Sequence, residues 1–253
     1  MALASALAYS RSTVDDPFTD AQASVTLDPT IGTGPNGGPA PAVVVAFRGS
    51  SSARDFLQDA EFWFTELVRR DYQVIAEVHH GFLEDFNAIS VAVVLQVRAL
   101  LAQYPAAGIY ITGHSLGGAL AILCALEFSR LKLAVTQVTT FGGPRVGNAA
   151  FRALYDAAPV TGHSSPVNLH DITFRVVNQN DIVPRTPGWL MGYRHVGQEI
   201  FLEPVTGWGV NPSLGYKVLC DVLGLWGAYR RRSDVLISQH FISSYERRIQ
   251  LLS

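Results

Sequence analysis

The sequence predicts an α/β fold, with a mostly parallel central sheet and helices on both faces. Three observations carry that expectation. Val43 to Phe47 (VVVAF) is a continuous β-branched apolar run, as in a strand buried on both faces. Phe82, Phe86, Ile89, Val93, Val97 and Leu100 recur every three or four residues, the spacing of a helix over Phe82 to Tyr104 that buries one stripe and stops at Pro105. Beyond it, strand and helix patterns alternate. Ile109 to Thr112 (IYIT) reads as a strand, Leu116 to Leu131 as a helix, and Val135 to Phe141 and Thr173 to Val177 (TFRVV) as strands.

The 253 residues are 48% hydrophobic and 16% charged, enough apolar material for a large core and read here as one domain over 1–253. Stretches rich in turn residues at Asp28 to Pro41, Pro159 to Asp171 and Pro204 to Gly215 are too short to link independent domains. A net charge of −2 gives no reason to expect nucleic acid or an anionic membrane as partner. The arginine clusters at 230–232 and at Arg247 and Arg248 read as solvated faces. Cys124 lies in the apolar run LAILCALEF and reads as a core residue. A disulfide to Cys220 stays open, and no CxxC pair or metal-ligand cluster is present, so neither metal nor organic cofactor is implied. The N-terminal MALASALAYSR is apolar but short and lacks a basic start, and no other uninterrupted apolar run approaches the ~20 residues of a membrane helix. A secreted chain whose leader has been removed is the favoured location, and a cytosolic one is the alternative. Oligomeric state is not legible.

Gly113-His114-Ser115-Leu116-Gly117 matches G-x-S-x-G. Alone the pattern is weak, because glycine-rich turns with an incidental serine occur. Here it joins the strand ending at Thr112 to the helix opening at Leu116, as a nucleophile elbow requires. Glycine at 113 and 117 keeps the tight turn clear of side chains. The turn lifts the Ser115 hydroxyl above the sheet edge, and the Leu116 N–H at the helix start faces a developing oxyanion.

A serine hydroxyl needs a base, and the base needs an orienting acid. Asp181 follows the strand TFRVV, so it stands at a strand's carboxyl end, where catalytic groups gather in open α/β sheets. The plainer reading is a turn or cap residue. In the chain order Ser, acid, His, the base follows Asp181, which leaves His195 and His240. His195, just before a strand-like run, suits a backbone anchor as well as a base. His240 sits in a loop before the last helix, and the residues alone do not separate the two.

Several blocks in order resemble the class 3, fungal-type triacylglycerol lipases of the α/β-hydrolase fold. They are VVVAFRGSSS (Val43 to Ser52), VHHGF (Val78 to Phe82), ITGHSLGGALAILCAL (Ile111 to Leu126), FGGPRVGNAAF (Phe141 to Phe151), FRVVNQNDIVP (Phe174 to Pro184) and YRHVGQEIF (Tyr193 to Phe201). They cover most of Val43 to Phe201. The resemblance implies Ser115 as nucleophile, Asp181 as acid and a late histidine, His240, as base. It implies that His195 is not catalytic, and that Ser50 and Leu116 form the oxyanion hole. Two cysteines depart from the several disulfides of secreted fungal members. The stretch 207–232, with the apolar run YKVLCDVLGLWGAY, matches no motif, and the first forty residues match only loosely.

In similar lipases the segment after the oxyanion serine forms a lid. Here Phe56, Leu57 and Ala60 fall at helical spacing between Arg54, Asp55, Gln58 and Asp59. A lid at about 51–64 would bury that apolar face in water and release it to a lipid-water interface. The plainer reading is a fixed surface helix. Asp59 is expected, by resemblance, to aim the Ser50 hydroxyl. The expected reaction is hydrolysis of acylglycerol esters through an acyl-enzyme. A feruloyl or other soluble-ester esterase on the same scaffold is the alternative. A lipase-like domain that binds without catalysis is a weaker one, since all three triad residues are present.

Overall fold

The computed structural model describes residues 14–15, 21–33, 37–49, 64–68, 74–178, 181–203, 207–210 and 240–250. The strands are β1 (Val14–Asp15), β2 (Gln22–Thr33), β3 (Pro39–Phe47), β4 (Phe64–Val68), β5 (Val74–His79), β6 (Gly108–His114), β7 (Val135–Phe141), β8 (Pro159–Val160), β9 (Val167–Asn168), β10 (Thr173–Asn178), β11 (Gln198–Glu203) and β12 (Gly207–Val210). The α-helices are α1 (His80–Gln103), α2 (Leu116–Arg130), α3 (Ala149–Asp156), α4 (Leu169–Ile172) and α5 (Ile242–Gln250).

Eight strands form one sheet in the order β1-β2-β3-β6-β7-β10-β11-β12. From β3 to β11 every pairing is parallel, and the antiparallel pairings lie toward the edges. The long crossovers α1 and α2 supply the connections that parallel neighbours need. The sheet has two apolar faces. Val43, Val45, Phe47, Ile109 and Ile111 point to one side, where they pack with Phe82, Phe86, Ile89, Val93 and Val97 of α1 and the apolar face of α2. Register and alternation turn Phe141 and Val176 to the opposite side, which α5 covers with Ile242, Tyr245 and Ile249. The α/β architecture with helices on both faces is thus the one the sequence predicts.

Helix α1 begins two residues earlier than its apolar spacing indicates, because His79 caps it: the Phe82 N–H donates to His79 Nδ1 at 3.4 Å. By length and composition α1 is apolar enough to cross a membrane. In the fold, its Phe82–Val97 stripe lies in the core while Val91 and Leu95 face outward. Cys124 is fully buried in α2, as expected of a core residue, and Cys220 lies outside the described residues.

Two expectations need correction. The turn-rich stretch from Asp28 is mostly strand: β2 continues to Thr33 and pairs with β3, with a register shift between Asp28 and Gly32. Asp28 Oδ1 accepts from the Thr30 and Ile31 N–H groups, so its side chain satisfies backbone donors at the irregularity. Arg248, read as solvated, donates from Nη1 to the Leu202 carbonyl at 3.2 Å and ties α5 to β11. Arg230 to Arg232 fall outside the described residues.

Phe82 is 1% exposed and Leu95 63%. Phe82→Ala should cost roughly 3–5 kcal/mol in urea denaturation, and Leu95→Ala less than about 0.5 kcal/mol. Equal losses would show that the outer face of α1 is buried as deeply as the inner.

Candidate active site

Strand β6 runs into α2 through one residue. Ser115 sits at φ 57°, ψ −128°, backbone that a non-glycine residue adopts only under constraint. The constraint is close packing of the helix start on the strand end. A Cβ at Gly113 would lie 2.0 Å from the Gly117 carbonyl oxygen, and one at Gly117 would lie 2.3 Å from that of Phe47. Glycine at both positions lets three backbone segments meet. A serine before a helix ordinarily uses its hydroxyl for capping. Ser115 makes no such bond, and its buried Oγ has no hydrogen-bond partner among the described residues. Its backbone is fixed instead, the N–H donating to the Phe141 carbonyl at 3.0 Å. The Leu116 N–H, first in α2, has no carbonyl four residues back within the helix to bond.

Asp181 is fully buried just past the carboxyl end of β10. Its carboxylate accepts from three donors: the Val183 N–H at 2.9 Å, the Tyr245 hydroxyl at 2.5 Å and His240 Nδ1, which lies 2.8 Å from Oδ2 and 3.0 Å from Oδ1. A carboxylate acceptor fixes the proton on Nδ1, so Nε2 of neutral His240 carries the lone pair. That Nε2 is buried and has no hydrogen-bond partner among the described residues. The structure thus brings Asp181 and His240 together and ties His240 to the elbow: its carbonyl bonds the His114 ring at 2.6 Å.

The other histidines after Ser115 are otherwise engaged. His163 bonds the Val135 carbonyl, and His170 lies 3.5 Å from Asp156. His195, the open alternative for the base, donates to the Pro184 carbonyl at 2.6 Å, where it anchors the loop after Asp181.

Residues that sequence reasoning missed complete the site. Tyr245 receives the Asn178 N–H at 3.1 Å while donating to Asp181. Burial, then the Asp181 charge and hydrogen bond, push its phenol well above the ordinary value, so it stays a donor. Gly142, at φ 59°, lies under the pair. A Cβ there would come within 2.7 Å of Asp181 Oδ2 and 3.0 Å of His240 Nδ1. Only the spacing of Tyr245 on the first turn of α5 after His240 offered a signal, and it is a weak one.

Ser50, Phe56, Leu57 and Asp59 lie outside the described residues, as do residues 51–63 of the segment expected to form a lid at about 51–64. Phe64, expected at the lid's end, instead opens β4, and its ring stacks on Tyr193 at 4.1 Å. The end of β3 abuts the elbow through Phe47 and Arg48, so the segment entering Ser50 runs beside Gly117. Among the described residues, no group of three or more His, Cys, Asp or Glu could hold a metal ion.

The sequence model of Lipase (class 3) matches residues 44–191. The chain belongs to the class 3 lipase family. A lipase of Rhizomucor miehei is 34% identical over 166 residues, covering 63% of this chain and 41% of that protein. A secreted mono- and diacylglycerol lipase of Penicillium cyclopium is 33% identical over 161 residues, covering 64% and 48%. The chain therefore spans less than half the length of these two relatives. Among solved structures, the lipase from Rhizopus microsporus var. chinensis superposes with a TM-score of 0.65 at 29% identity, covering 80% of this chain and 64% of that one. A triacylglycerol lipase whose catalytic centre is described as a serine protease triad superposes at 0.60 and 28% identity, covering 80% and 70%. The α/β-hydrolase fold is shared with these lipases. The family match includes Ser115 and Asp181 and ends before His240.

Tyr245→Phe removes a donor to a buried carboxylate and the acceptor of the Asn178 N–H. It should lower the unfolding free energy by about 2–3 kcal/mol in urea, with the fold retained. An unchanged midpoint would mean that water replaces the hydroxyl.

Proposed function

We propose that this protein hydrolyses carboxylic esters of acylglycerols, with Ser115 as nucleophile, His240 as base and Asp181 as its orienting acid. One observation carries the reading. A buried serine hydroxyl on a strained strand–helix turn and a buried imidazole nitrogen oriented by a carboxylate both lack partners among the described residues. Buried polar atoms are almost always bonded, and a catalytic role is one of the few explanations for one that is not.

His240 Nε2 takes the Ser115 proton as Oγ attacks the ester carbonyl. Asp181 holds the Nδ1–H tautomer and stabilises the imidazolium, and Tyr245 and the Val183 N–H keep the carboxylate aimed. The Leu116 N–H, at the positive end of the α2 dipole, meets the oxyanion. Ser50 is proposed as its second donor. The imidazolium then protonates the leaving alcohol, and water activated by His240 releases the acid. The reading takes 1–253 as one domain with a lid from about residue 51 that meets a lipid-water interface. The relatives' descriptions as lipases and as a secreted mono- and diacylglycerol lipase support the substrate class and an extracellular location.

p-Nitrophenyl esters from C2 to C16, an acylglycerol emulsion and methyl ferulate separate the readings. Hydrolysis of the emulsion with Ser115→Ala reduced by several orders of magnitude, on the order of 10⁶-fold, is the expected result. A Ser115→Ala protein that keeps a tenth of the activity would refute the nucleophile. Preference for methyl ferulate would move the substrate to soluble aryl esters.

Gly142→Ala gives an independent check, because its Cβ would push against both members of the acid–base pair. Hydrolysis should fall by about 10- to 100-fold in a folded protein, given the ~10² cost of a misplacement of ~1 Å. Wild-type turnover would show that the pair does not need its observed placement.

A further inference from the structure

A buried histidine that the mechanism above does not use stands beside the nucleophile. His114 ends β6, one residue before Ser115. Strand alternation decides where its side chain goes. Gly113 faces α2, where even a Cβ would overlap Gly117, so His114 faces the opposite side, the one covered by α5. His114 also pairs across the sheet with Phe141, whose ring packs against Tyr245 of α5.

On that face His114 touches His240 twice. Its Nε2 lies 2.6 Å from the His240 carbonyl oxygen, and since a carbonyl only accepts, Nε2 carries the proton and donates. The two rings also stack, with 4.6 Å between centroids and 30° between planes. Tyr245 stands edge-on to His114 at 6.2 Å. One side chain thus holds both the main chain and the ring face of His240.

Those contacts restrain what the Asp181 bond leaves loose. An imidazole tied to a carboxylate through Nδ1 alone can still swing about that bond. The stacked ring opposes the swing, and the carbonyl bond fixes the backbone from which the ring hangs. Both restraints start one peptide unit from Ser115, so the base and the nucleophile share one short rigid frame. We propose that His114 is a positioning residue, holding His240 so that its Nε2 faces Ser115; this rests on the esterase reading above.

The chemistry of His114 suits that task. Burial, and then the His240 charge, hold its pKa well below the ordinary 6.5, and the bond to the His240 carbonyl does not offset them. His114 stays neutral while His240 gains and loses a proton. A second cation stacked on the buried imidazolium would oppose the step that the pair exists to perform.

Two variants divide the roles. His114→Phe keeps a ring and removes the donor, and His114→Gln keeps a donor without the ring. Rates on p-nitrophenyl butyrate are expressed per active site counted by burst titration, so lost folding does not pass for lost catalysis. His114→Phe should lower kcat per site by about 10- to 100-fold, with KM within about twofold, because a misplacement of ~1 Å can cost ~10². His114→Gln should recover part of that loss.

A second readout needs no turnover. In a Ser115→Ala background, the low-field proton resonance of His240 Nδ1–H reports the bond to Asp181, and each His114 variant should shift or broaden it. Wild-type kcat per site in both variants, or a resonance unmoved in position and width, would overturn the proposal. Should His114→Phe fail to fold, His114→Gln decides by the same two readouts. A displaced resonance in a protein whose wild type hydrolyses no ester would sink the esterase reading and leave the positioning role standing.

Discussion

The contact on which the rest of the site depends is the packing of α2 against the end of β6. The helix begins so soon after the strand that Gly113 and Gly117 lie backbone to backbone, and Ser115 between them takes a positive φ. Strain of order 1–3 kcal/mol at one residue persists only where its surroundings overdetermine it. Here the Ser115 N–H on Phe141, the glycine contacts and the end of β3 all do so. From this one turn follow a hydroxyl freed from capping, a helix N-terminus beside it, and a histidine turned to the far face of the sheet.

The Asp181–His240 pair is built on that far face by a separate set of constraints. Asp181 is buried, and an ionised carboxylate there is tolerable only if donors surround it. Val183, Tyr245 and His240 supply them. Gly142 keeps the space beneath clear, and its N–H donates to the Val176 carbonyl. α5 then has two tasks, since Tyr245 both closes the small apolar cluster of Phe141, Val176 and Leu202 and completes the carboxylate's shell. The apolar cluster and the proposed site share Tyr245, so a change there touches both.

The fold was legible where one periodicity dominated. The strand VVVAF, the α1 stripe and the strand–helix alternation needed no tertiary knowledge. The β2–β3 hairpin was not legible, because Asp28, Pro29 and Gly32 spell a loop while β2 carries them as strand with a register shift. Of the site, Ser115 and Asp181 followed from local pattern and chain order. His240 and His195 stayed level until resemblance favoured His240, and the structure supplies a geometric distinction: His240 bonds Asp181, whereas His195 bonds Pro184. The parts illegible in one dimension are those set by register across the sheet. His114, Gly142 and Tyr245 meet His240 and Asp181 only because β6, β7 and β10 align as they do.

The central claim is that one strained, buried serine is the nucleophile of an ester hydrolase. Covalent capture reads it directly: incubate the protein with a p-nitrophenyl phosphonate ester, follow the loss of esterase activity, and map the adduct by peptide mass spectrometry. The account predicts one adduct per chain, on Ser115, formed in step with inactivation and absent from the His240→Ala protein on the same timescale. An adduct on another residue, or full modification of Ser115 with hydrolysis intact, would contradict it.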